Sequence, residues 1–492
     1  MKQLQYAVLM GVMLSGWLMM PSYADDMTDW YRQRTQDFQK FQGARDRQFQ
    51  EFKDERDREF TAFLKEHWRK MRLLEGMVRD DTPKPDVIPK VKPIDRPKPT
   101  PQLPRIRPPA PVVVPPSPPP APVIPADGTR IKVTFYGHRL SFRIDRAFKA
   151  SVGYTINKQA ISDYWAKLSR ADYEPLLEQL NAQRQALRLN DWAYLLLVRE
   201  LVKKLHPNRY NEQVLITWFI FAKDEYRARI AYDNKQIYLF MPTKQPLYAV
   251  SYFTFDGQRY YVIPVDGSNK QQFEQVRTYD SHYPGANKVL DMHISTAVVT
   301  SPKRGKKRLT FRYGEKNYPI KINYDRHTVD FLNTYPQLDI GMYFISTVRP
   351  ETGKQLLEQL KPLVTGQSEL EAVNRLLRFV QTAFEYKTDK EQFNEENYLF
   401  PEETLFYPYS DCEDRSILFA WLVRNLLDLK VVGLDYPGHI AAAVHFNGNV
   451  NGDGFIYRGE RYVITDPTFI NANAGMAMPQ FKNTKPGVIA IR

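Results

Sequence analysis

An α+β fold, present twice behind a long helix and a proline-rich spacer, is the architecture this sequence predicts. Three observations carry that reading. Apolar pairs recur every 11 residues from Met27 to Leu74. Residues 82–127 hold half of the chain's 36 prolines. Two later stretches run through the same order of helix-periodic and strand-alternating segments. They are LNDWAYLLLVRELVKKL, YNEQVLITWFIFAKDEYRARIAY and GQRYYVIPV, then LEAVNRLLRFVQTAFEY, SDCEDRSILFAWLVRNLLDLKVVGLDY and GERYVITDP.

At 492 residues the chain is too long for one ordinary core, and several domains are expected. The first 24 residues read as an export leader. Lys2 is the charged start, Ala7 to Met20 the apolar run, and Ser22-Tyr23-Ala24 the cleavage site. The run falls short of the roughly 20 residues a spanning helix needs. No later stretch is apolar and long enough, so no transmembrane segment is expected after cleavage. No cysteine follows the cut, so no lipid anchor is expected there. The expected location is the periplasm of a Gram-negative cell, or otherwise the medium or cell surface.

Residues 25–81 should form the helix. Met27/Trp30, Phe38/Phe41, Phe49/Phe52, Phe60/Phe63 and Met71/Leu74 make one nearly straight stripe, flanked by Arg34, Arg45 and Arg56. The stripe has no partner nearby in sequence. It predicts self-association or an envelope partner through residues 25–80. The spacer reads as a polyproline tether reaching about 140 Å at about 3.1 Å per residue.

The first α+β unit is expected over 128–285, a β-rich segment over 286–350 and the second unit over 351–492. In the first unit Asn211 stands where Cys412 stands in the second, and Val265 or a neighbour falls at the place of Asp466. The earlier unit is therefore read as a degenerate copy with no nucleophile.

The single cysteine rules out an internal disulfide, so cores must supply stability. The formal charge is +13, from 69 Lys and Arg against 56 Asp and Glu. This excess favours anionic surroundings such as cell-surface polymers or lipid headgroups. It does not by itself indicate nucleic acid, and none is expected as a partner. The dense basic run 303–308 sits between strand-like segments and is expected at a solvated hairpin tip.

Cys412 opens an apolar helical run, where backbone N–H groups and the helix dipole stabilise a thiolate. Ser410 or Asp411 would cap it. Asp411, Glu413 and Asp414 act the other way, since negative neighbours raise a thiol pKa. A base is therefore needed. His439 begins the strand HIAAAVHF after Pro437-Gly438, and Asp466 in VITDPTF can orient its imidazole. His445 lies further along the same strand and is read as a rim residue. Oxyanion donors would be the Cys412 N–H with Tyr409, Tyr407 or Gln392.

Cysteine at a helix start, histidine at a strand head and Asp-Pro-Thr closing the next strand resemble the transglutaminase-like superfamily, with its papain-like fold. Cys412, His439 and Asp466 carry the likeness, supported by Pro467-Thr468, over roughly residues 365–475. The chain departs from the family where Ile-Ala follows His439 in place of Ala-Trp. A long turn, Asn447–Gly454, also separates the two strands. The resemblance implies a Cys-His-Asp triad working through an acyl-thioester on amide bonds. The activity would be that of a peptidase or amidase, or of a protein-glutamine acyltransferase. The substrate would be a protein or peptide, a cell-wall peptide among them. The other reading is a non-catalytic envelope scaffold that uses the same fold.

No metal or cofactor is expected. The Asn447–Gly454 stretch looks like a calcium loop, but Arg458 occupies the place of the closing acid, so a hairpin turn is expected. Zinc spacing and a glycine-rich phosphate loop are lacking, and His67 reads as helix decoration.

Overall fold

The computed structural model describes residues 23–76, 128–233, 235–265 and 275–491. It is mixed α/β, 41% helical and 26% strand. Residues 1–22 of the expected leader and the whole expected spacer lie outside the described residues. No helix among the described residues is long and apolar enough to cross a membrane. The chain divides into two compact units, residues 1–59 and 60–492.

Helix α1 (Tyr23–Glu66) supplies the described part of the first unit. Its stripe is open: Trp30, Phe38, Phe41 and Phe52 are each more than half exposed. The arginines cover part of it. Arg34 lies 4.7 Å over the Trp30 ring and Arg56 lies 5.3 Å over Phe52, as side chains four apart on a helix can.

The expected helix over 25–81 stops at Glu66. The stripe's last helical pair belongs to the second unit, where Phe60 packs edge-on to Trp165 (4.8 Å) and Tyr283 (5.5 Å) and Leu64 is fully buried. Strand β1 (Arg69–Arg72) follows at once. Met71 and Leu73 turn toward one apolar cluster, the period of a strand. Tertiary pairing thus overrides the helical period here, and these residues are built into the globular unit ahead of the spacer.

The second unit continues with the hairpin β2 (Thr129–Phe135) and β3 (His138–Ile144). Helices α2 (Lys158–Ser169), α3 (Glu174–Ala186), α4 (Asp191–Leu205) and α5 (Tyr210–Lys223) come next. Strands β4 (Arg229–Tyr232), β5 (Ile237–Pro242), β6 (Tyr252–Phe255), β7 (Gln258–Ile263) and β8 (Gln275–Thr278) complete the first α+β half. A ribbon of β9 (Arg304–Tyr313) and β10 (Lys316–Asp325) precedes α6 (Arg326–Leu332), α7 (Ile340–Phe344), α8 (Pro350–Val364) and α9 (Glu369–Ala383). Short pieces follow: β11 (Glu385–Tyr386), α10 (Asp389–Phe393), α11 (Pro401–Phe406) and β12 (Tyr409–Ser410). Then come α12 (Cys412–Leu427) and β13 (Lys430–Tyr436), β14 (His439–His445), β15 (Gly454–Tyr457), β16 (Glu460–Thr465) and β17 (Gly487–Ala490).

The two larger sheets share a topology. The first is ordered β1-β8-β4-β5-β7-β6 and the second, read from its other edge, β17-β13-β14-β16-β15. Set β1 aside and the strands correspond one to one in chain order, all antiparallel. Each sheet also follows a helix that is buried on nearly all sides, α5 or α12.

Three expectations change. The 286–350 segment contributes one two-stranded ribbon and two short helices, not a run of strands. The basic run 303–308 lies at the start of β9, while the hairpin tip is Gly314-Glu315. Asn447–Gly454 joins β14 to β15, which are separated by β16, so it is a crossing connection and not a hairpin turn.

Candidate thiol site

Cys412 is the first residue of α12, with Asp411 at the N-cap. Asp414 fixes this start. One carboxylate oxygen accepts the Asp411 N–H (3.3 Å) and the other the Leu399 N–H (2.9 Å). The acid at the third helical position thus satisfies the N-cap N–H and ties the helix start to the segment before α11. Ser416, one turn on and on the same face, donates to the Ile440 carbonyl at 3.1 Å. The start of α12 and the head of β14 therefore lie side by side.

His439 heads β14, and its Nε2 lies 2.8 Å from Asp466 Oδ2. Asp466 follows the end of β16. Its other oxygen accepts the N–H groups of Thr468 (2.8 Å) and Phe469 (3.1 Å), the turn that Asp-Pro-Thr favours. The ring is further held by Phe481, stacked at 5.2 Å and nearly parallel. With Nε2 occupied, Nδ1 is the free position, and it is buried without a hydrogen-bond partner. The three residues sit deep: Cys412 is 1% exposed and His439 and Asp466 2% each.

The thiol's surroundings are strongly charged. Its S–H points to Glu413 Oε2 at 3.0 Å. The carboxylates of Glu413, Asp411 and Asp389 converge, with one oxygen from each within 4.8 Å of the others, and all three residues are buried. This all-oxygen donor set is the kind hard divalent cations take. The opposing charge is Arg415, whose guanidinium binds Ser410 Oγ (3.2 Å) and the carbonyls of Gln381 (3.3 Å) and Phe384 (2.8 Å). Burial lowers its pKa to about 10, which leaves it cationic at neutral pH.

The three expected oxyanion donors separate. The Tyr407 hydroxyl donates to Asn333 Oδ1 (2.9 Å). Tyr409 lies beneath the Lys387 ammonium, 4.0 Å from its ring centre. Gln392 sits one turn after Asp389 on α10, and its Nε2 is buried without a partner. His445 is held at the far end of the strand by the Arg461 carbonyl (2.9 Å).

Gln381 escaped sequence reasoning. Its Nε2 reaches the carbonyls of Asp466 (3.1 Å), Phe469 (2.8 Å) and Ala472 (3.0 Å), and its Oε1 accepts the Asn471 N–H (3.2 Å). One amide on α9 thereby shapes the loop that carries Asp466. Asp389 was also missed. Nothing in its local string marks it, whereas the acid-cysteine-acid string 411–414 was visible.

The first half places other chemistry at the matching positions. Asn211 Oδ1 accepts the N–H of Ile237, the residue heading β5 (2.8 Å). The hairpins Phe255/Gln258 and Tyr457/Glu460 correspond, which brings Pro264, the neighbour of Val265, to the place of Asp466. Tyr210 begins α5 as Cys412 begins α12, so tyrosine, isoleucine and proline stand where the second half has cysteine, histidine and aspartate, and Asn211 lies one position further on than expected. Compared with known proteins, the chain matches no family model, no curated protein and no solved structure.

Proposed function

We propose that this chain is an exported thiol enzyme of transglutaminase-like type, with Cys412, His439 and Asp466 as its triad. The observation that carries the reading is the polarity of His439: Asp466 occupies Nε2 and leaves a buried, unpartnered Nδ1 beside the helix that begins with the only cysteine. Asp466 fixes the tautomer and stabilises the imidazolium.

In this reading Nδ1 takes the Cys412 proton and the thiolate attacks an amide carbonyl. The Cys412 N–H and Gln392 Nε2 receive the oxyanion. The tetrahedral species collapses as His439 returns the proton to the leaving amine, giving a thioester. Water or a second amine then resolves it, and the thiol is restored. The substrate class is a protein or peptide, and a cell-wall peptide is within it. Cys412, His439 and Asp466 are all buried, so a substrate can reach them only if the site opens. The exposed aromatic stripe of α1 is the proposed contact with further copies of the chain. Sedimentation of the full chain with Phe38→Ser and Phe41→Ser checks this, with a smaller species expected.

The deciding experiment is labelling with a thiol-directed probe near neutral pH. Rapid, stoichiometric labelling is expected, lost in Cys412→Ala and slowed at least tenfold in His439→Ala. Labelling at the rate of an ordinary thiol, unchanged in His439→Ala, would sink the triad. It would favour the scaffold reading, to which the deep burial of Cys412 also points.

A further inference from the structure

The β9–β10 ribbon has one face turned to the core and one to water. Leu309, Phe311, Tyr313, Ile320 and Ile322 fill the inner face. Side chains alternate along a strand, so the residues between them point outward together. On β9 these are Arg304, Lys306, Arg308, Thr310 and Arg312, all exposed. On β10 Lys321 stands directly across from Arg308 and is exposed too. Five cations therefore share one face.

Their spacing follows from strand geometry. Neighbours two apart on β9 are about 7 Å from each other, and Arg304 to Arg312 spans about 27 Å. No ion pair holds any of the five: Arg312 bonds only the Gly314 carbonyl (3.0 Å). The acid across from Arg304, Asp325, is buried and committed to Arg349. Among the strand residues of this face none is an exposed carboxylate, and Asp330, which lines a recess with Arg304, is paired with Arg326. Elsewhere on the surface some exposed lysines do pair with acids, as in Lys244–Asp291, Lys354–Glu358 and Lys430–Glu460.

Between the charges lie Thr310, Asn323 and Pro319, and at the Arg304 end the face borders an open recess lined also by Lys303, Tyr324, Arg326 and Asp330. The outer edge of β10 is closed to another strand. Gln359 binds the backbone N–H and carbonyl of Lys321 (2.8 and 2.7 Å), and Gln355 the N–H of Asn323 (2.8 Å). Parallel, unconverging cations do not enclose a small anion. The outer face also has no aromatic ring on which bases could stack. A plane of charge is complementary to another plane.

We infer that the outer face of the β9–β10 ribbon docks the protein on an anionic lipid bilayer, through Arg304, Lys306, Arg308, Arg312 and Lys321. Each such cation near an anionic surface contributes modestly, and several together hold a protein there. The ribbon is also tied to the thiol region. On its inner face the Lys307 ammonium binds the carbonyls of Phe406 and Tyr407, in the segment leading to Cys412. Burial lowers this lysine to about 8.

The test is co-sedimentation of the full chain with vesicles of phosphatidylcholine alone or with added phosphatidylglycerol. Adding the anionic lipid should increase binding, and salt should remove the increase because screening shortens the reach of surface charge. The variant Arg304→Gln, Lys306→Gln, Arg308→Gln should lose on the order of 10- to 100-fold of that increment. Its charge-matched control, Lys149→Gln, Lys158→Gln, Lys167→Gln, should keep it. An equal loss in the control, no increment at all, or tighter binding to soluble polyphosphate than to vesicles would overturn the inference. Cys412→Ala should bind as the parent does, which keeps this result separate from the thiol reading.

Discussion

At the residue scale, the thiol is a contest between one histidine and several carboxylates. Glu413 accepts the S–H directly, so it favours the neutral thiol. Glu413→Gln should lower the thiol pKa by about one unit and speed alkylation at pH 7 several-fold. A pH profile of iodoacetamide labelling reads this directly. An unchanged profile would mean that the carboxylate is neutralised by other means. Gln381 acts at one remove. Gln381→Leu leaves several buried carbonyls unbonded and should cost about 3 kcal/mol of stability in denaturant titration. The placement of Cys412 at a helix start, His439 at a strand head and Asp466 just after a strand was legible in the sequence, because local signals are strong at the ends of elements. Gln381 and Asp389 were not legible. Their importance comes from what the fold brings to them across long stretches of chain.

At the element scale, the periodic runs foretold the long helices and the recurrence of one helix-then-strands series in both halves, but not the order of strands within the sheets. Edges were harder to read. Residues 69–72 carry a helical stripe on paper, yet pair with β8, because an open strand edge and an apolar pocket together outweigh local period. The basic run was misplaced for a related reason: the turn at Gly314 lies beyond the charges that drew attention. Two outcomes test elements directly. Phe481→Ala removes the ring stacked on His439 and should raise the labelling rate of Cys412 with little change in stability. Slower labelling would show that the ring supports the imidazole and does not shield the site. In the first half, Asn211→Ala removes the acceptor for the Ile237 N–H and should destabilise by about 1–3 kcal/mol. Thermal unfolding measures it.

At the scale of the whole molecule, buried acids set a pH dependence. Burial pushes Glu402 up to about 7 and Glu403 up to about 8. A carboxyl raised in the folded state binds its proton more tightly there than in the unfolded chain, where it titrates near 4.5. Folding is then most favoured below about pH 4.5 for these groups, and stability falls as pH rises toward 7 to 8. Glu403→Gln keeps an acceptor for the Phe400 N–H and removes the titration. It should raise the melting temperature at pH 8 and leave it nearly unchanged at pH 5. Equal shifts at both values would place the effect elsewhere. A last consequence follows from β1. Phe60, Leu64 and β1 lie before the proline-rich stretch and the β2–β3 hairpin after it, and all are parts of one compact unit. Both ends of that stretch are therefore moored to the same body. A protease cut between residues 77 and 127 should yield two fragments that still co-elute. Burial of Phe60 and Leu64 alone is worth about 3–6 kcal/mol in holding them. The N-terminal piece would leave only on denaturation, and the two pieces, expressed separately, should reassemble.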